Sequence, residues 1–181
     1  MSISEAWVLT ASLKPSRAWQ FIKTKLMSRN VSFNPHRSRT SRRFLSKTML
    51  LPVPERLVVD FSLANHLALA ACRRGRGNAH LLNELLRAVY ISYFLGQRGT
   101  DRAPAQTYRE AEAGLERALA CAERENVWHV DEKAAIVLGR VLTIYDIQLE
   151  FTATWMLVEA KERLDRFLAG DGKIPILRNE S

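Results

Sequence analysis

The hydrophobic positions of this 181-residue chain fall into two regimes that meet at Leu51-Pro52-Val53-Pro54. Beyond that stiff hinge, apolar residues recur at three- and four-residue intervals to about Leu168, the pattern of amphipathic helices around one core. The first predicted helix spans 54–74, with Leu57, Phe61, Ala64, Ala68 and Ala71 on its apolar stripe. It ends in Arg73-Arg74-Gly75-Arg76-Gly77, where glycine supplies a left-handed cap and the cations suit the negative end of the helix dipole.

Asn78 caps a second helix over 78–95. Leu82, Leu85, Val89 and Phe94 line one side and Leu81, Tyr90 and Tyr93 an adjoining one, a width that predicts a central helix. Pro104 opens a third over 104–125, whose narrow stripe of Tyr108, Ala111, Leu115, Ala118 and Ala122 permits close approach. Glu110, Glu112, Glu116, Arg117, Glu123 and Arg124 fall on its wet side.

Asp131 caps a fourth pattern that continues over 131–168. One seam carries Leu138, Leu142, Tyr145, Leu149, Thr152 and Met156; a second stripe carries Val141, Ile144, Phe151, Trp155 and Val158. At 1.5 Å per residue, an unbroken helix of this extent is about 60 Å long and overhangs a bundle of twenty-residue helices. Either it breaks near Thr152 to Thr154, or the overhang pairs with a second copy. The second reading is preferred, and it makes Leu142, Tyr145, Leu149, Phe151, Trp155 and Met156 the expected dimer or partner interface. The expected fold is thus all-α, a four-helix bundle-like domain over 54–169 with a long C-terminal helix and a tail over 170–181.

Residues 1–53 lack this periodicity. Pro15, Asn34-Pro35 and the Ser/Arg-rich run from Arg37 to Arg43 prevent a long helix, so a largely disordered arm is expected. A short basic amphipathic helix over 16–27, with Trp19, Ile22 and Leu26 on one face, is the exception. Met27 offers an alternative beginning that would remove it.

Charge sharpens this division. The formal net charge is +8, yet residues 1–54 carry ten Lys or Arg and one acid, Glu5, whereas 55–181 carry seventeen basic and eighteen acidic residues. All the excess belongs to the arm. Such segregation suits a tail that touches nucleic acid or another anionic surface, with Arg37, Arg39, Arg42, Arg43 and Lys47 as the candidate phosphate contacts. A solvated leader is the competing reading.

Enzyme chemistry finds no support. The sequence has no phosphate-binding Gly loop, GxSxG, HExxH or facing Glu-x-x-His pairs, so neither catalytic residues nor a cofactor are expected. His66, His80 and His129 read as hydrogen-bonding or helix-end residues rather than metal ligands. Cys72 and Cys121 sit among Ala and Leu without a CxxC spacing and read as reduced core thiols. With no secretory segment and no apolar run near the ~20 residues of a membrane span, a cytoplasmic location without integral membrane association is expected.

Asn34-Pro35-His36, then Met49-Leu50-Leu51-Pro52-Val53, then a helix ending in Arg74-Gly75-Arg76-Gly77 give about 50 residues a layout that resembles small plasmid- and phage-associated bacterial proteins labelled Fis-like regulators. The resemblance implies a helical dimer that ends in a DNA-reading helix-turn-helix. The sequence departs from that pattern, because its C-terminal helical segment is long, neutral and apolar. The resulting expectation is a non-enzymatic accessory or regulatory protein of a bacterial mobile element or its host. Its helical body would self-associate or bind a helical partner, and its arm would contact nucleic acid. The alternative is an adaptor, inhibitor or chaperone without nucleic-acid binding.

Overall fold

Capping chemistry decides where the helices begin and end in the computed structural model, which describes residues 46–99 and 102–169. Helix α1 spans Lys47–Leu50, α2 Glu55–Arg73, α3 Ala79–Gly96, α4 Ala105–Glu125, α5 Glu132–Phe151 and α6 Thr154–Ala169. The Asn78 side chain accepts from the Leu81 amide and Asp131 from the Ala134 amide, satisfying donors that the first turns of α3 and α5 leave open. Helix α2 closes in a Schellman motif. Gly75 takes φ +68° while the Arg76 amide reaches Ala71 O and the Gly75 amide reaches Cys72 O.

Helix α3 is the axis of the bundle and packs against α2, α4, α5 and α6. Leu82, Leu85, Leu86 and every residue from Ala88 to Gly96 are buried, so little of its circumference beyond the first turns reaches solvent. Helices α4 and α5 come together over small residues: a Cβ placed on Gly114 would stand 2.5 Å from Ala134 Cβ. No side chain fits that contact without moving the two backbones apart.

Two expectations are corrected. The helix over 131–168 is not continuous: α5 stops at Phe151, Thr152 takes extended backbone at φ −85°, ψ 132°, and α6 begins at Thr154. The cause lies a hundred residues upstream. The hinge segment crosses the break, so that Val53 N donates to Thr152 O at 3.0 Å and Thr154 N to Leu51 O at 2.9 Å, with Pro52 and Ala153 forming an antiparallel bridge. Thr152 Oγ1 donates back to Gln148 O and Thr154 Oγ1 to Leu51 O, hydroxyl bonds that compete with helical ones. Without a long helix there is no overhang for a second copy to cover.

The apolar stripe of α2 is also rotated. Its buried residues are Val58, Asn65, Ala68, Leu69 and Cys72, while Leu57 and Ala64, expected inside, are exposed. Helix α2 is apolar on several sides, so periodicity alone leaves its rotation open. Contacts with α5 set it: the two run antiparallel, with His66 Nε2 2.9 Å from Asp146 Oδ2 and Arg73 Nη2 2.8 Å from Glu132 Oε1.

Candidate interaction surface

The rotation of α2 turns Val59, Leu63 and Leu67 outward, 55, 57 and 60 % exposed. Their four-residue spacing keeps them on one stripe. On the neighbouring α5, Ile136 and Ile147 are 52 and 41 % exposed, and the exposed Thr143 lies between them on the same stripe. Both helices back onto α3, so these stripes form an outer face with no protein over it among the described residues. Single exposed apolar residues are ordinary, whereas neighbouring stripes of them make this face a candidate interaction surface.

Charge on this face is polarised. Where α2 starts and α5 ends, the exposed Glu55, Asp60 and Glu150 outnumber Arg56. Where α2 ends and α5 starts, the exposed Arg73, Arg74 and Lys133 outnumber Glu132, while Arg140 lies near the middle of α5. Asp131 is turned away from the basic end, capping α5 and meeting Arg117 Nη2 of α4 at 3.2 Å. The bond from the Ala134 amide holds its carboxyl below the ordinary value.

The interface expected from the fourth helical pattern is differently distributed. Leu142, Tyr145 and Leu149 are buried within the chain's own core, where α3 and α4 cover the seam, and so cannot meet a partner. Trp155 and Met156 are half-buried, Trp155 beneath the Arg98 guanidinium at 5.7 Å. Phe151 alone is open, 77 % exposed at the end of α5. Of the candidate phosphate contacts, Lys47 is exposed on α1; Arg37, Arg39, Arg42 and Arg43 lie outside the described residues, as does the helix expected over 16–27.

One acidic residue moves the other way. Glu112, expected on the wet side of α4, is 8 % exposed and accepts a hydrogen bond from the Tyr90 hydroxyl. Burial raises its pKa, opposed by the Tyr90 bond and assisted by Glu116. Around it Tyr93 and Tyr108 meet edge to face at 5.4 Å, and Ser92 Oγ shares a 3.0 Å hydrogen bond with Tyr108 Oη. Helix spacing gave no sign of this site, although a buried tyrosine on α3 always needs a partner for its hydroxyl.

Nothing else among the described residues gathers reactive groups. Cys72 is buried and its thiol is pushed up to about 11 by burial; Cys121 is half-buried, and both are free. No three His, Cys, Asp or Glu side chains converge as metal ligands among the described residues. A cavity between α3 and α6, bordered by Phe94, Arg98, Met156 and Arg163, holds about 10 Å³, the room of one water. No helix among the described residues is long and apolar enough to cross a membrane.

Fold and surface together define an all-α helical bundle with an apolar outer face. No family model matches the chain, and no curated protein or solved structure matches it.

Proposed function

We propose that this chain is a non-enzymatic accessory protein of a bacterial mobile element or its host, acting in the cytoplasm. Its helical body associates through the outer face of α2 and α5, and its arm contacts nucleic acid. The observation that carries the reading is the exposed double stripe of Val59, Leu63, Leu67, Ile136 and Ile147 on two neighbouring helices. Concentration of the net positive charge in residues 1–54 supports the arm's part.

Phosphate contacts release counterions, so affinity for DNA falls with salt by a slope of about −0.9 per contact. Fluorescence anisotropy of duplex DNA with the full chain, at several salt concentrations, is compared with Arg37→Ala/Arg39→Ala/Arg42→Ala/Arg43→Ala. The expected result is weaker binding by the variant and a slope shallower by about 3 to 4. Equal affinity and slope would remove nucleic acid from the function and leave a pure protein-interaction module.

A further inference from the structure

We infer that the partner of the α2/α5 outer face is a second copy of this chain, docked antiparallel about a two-fold axis. The inference rests on the association just proposed for this face and specifies its occupant and geometry. A two-fold interface brings one patch against itself, so the patch must complement its own rotated image. A uniformly charged face fails that condition by repulsion, and a face with opposite ends of opposite sign meets it. Here rotation lays the acidic end of one copy, with Glu55, Asp60 and Glu150, over the basic end of the other, with Arg73, Arg74 and Lys133. The apolar stripes then meet between these ends, with Leu63 nearest the middle and Ile136 of one copy facing Ile147 of the other.

The dimensions suit such an assembly. Helices of 19 and 20 residues are about 30 Å long at 1.5 Å per residue. Side by side at about 8–10 Å, they offer on the order of 600 Å² in projection. A specific interface takes about 800 Å² of accessible surface per partner, and corrugated side chains provide more than the flat projection. A parallel arrangement would oppose like charges at both ends. The antiparallel one also gives the assembly two basic arms, which raises its avidity for a long polyanion.

Sedimentation velocity on the full chain at micromolar concentration tests the pairing, with circular dichroism confirming that each variant stays folded. The wild type is expected to be a dimer. Leu63→Glu with Ile147→Glu, both exposed, is expected to raise the dissociation constant about a hundredfold or more, as loss of central apolar contacts does. Arg74→Glu/Lys133→Glu, which reverses the basic end, is expected to raise it about tenfold. Adding Asp60→Lys and Glu150→Lys to the same chain restores the dimer, because the reversed ends again complement each other. A monomeric wild type, a dimer indifferent to Leu63→Glu/Ile147→Glu, or a fourfold charge variant that stays monomeric would each overturn the inference. A monomer whose arm still binds DNA leaves the arm's role standing, and a dimer that ignores DNA removes that role alone.

Discussion

Glu112 holds its proton to a higher pH when folded than when unfolded, because burial disfavours its charged form. The native chain therefore binds more protons than the unfolded one as pH rises from about 4.5, the ordinary value. Over that window stability is lost with rising pH, and the loss is complete once pH passes the folded pKa. Glu112→Gln keeps an acceptor for Tyr90 and removes the charge. Thermal unfolding should show the variant more stable than wild type at pH 7 and equal to it below about pH 4.5. Tyr90→Phe, by contrast, strips the buried carboxyl of its donor and is expected to cost about 1–3 kcal/mol in denaturant unfolding. Thiol labelling offers a separate check: Cys121 should react in the native state and Cys72 only on unfolding, since it is fully buried with its pKa near 11. At this scale much was legible. Tyr108, Leu115, Leu138 and Leu149, each placed inside by helical spacing, are fully buried. Glu112 was not, because its position is set by a hydroxyl on another helix.

Among the elements, the α4–α5 contact has the least tolerance. Gly114→Val puts a branched side chain where even one Cβ would stand 2.5 Å from Ala134, and a loss of about 2–3 kcal/mol is expected from denaturant unfolding. Helix ends could be read closely: Asn78 and Asp131 cap where their residue types predict, and Gly75 turns the chain. The rotation of α2 could not, and the break at Thr152 to Thr154 was legible only as the less favoured of two alternatives. Both are settled by partners distant in sequence, Asp146 and Glu132 for the rotation and Leu51 to Val53 for the break. Neither glycine nor proline marks residues 151–154, so the only local signal was the weak one of the β-branched Thr152 and Thr154.

For the whole molecule, the excess positive charge belongs to residues 1–54 and the described core to the helical body. The all-α class followed from periodicity alone, while the outer face emerged only once α2 and α5 were paired, because its two stripes lie about seventy residues apart in sequence. The meeting of Leu51 to Val53 with Thr152 to Thr154 also bears on how the bundle opens. It ties together points 103 residues apart, from Leu51 to Thr154. Closing so long a span costs chain entropy that no neighbouring turn can recover, so these bonds should form and break only with the bundle itself. In native-state hydrogen exchange, the Val53 and Thr154 amides are thus expected to exchange at the rate of global unfolding, alongside α3. An end of α6 that frayed independently would leave Thr154 exchanging much faster than Val53. The clasp makes the last helix a late and obligatory piece of a single cooperative unit.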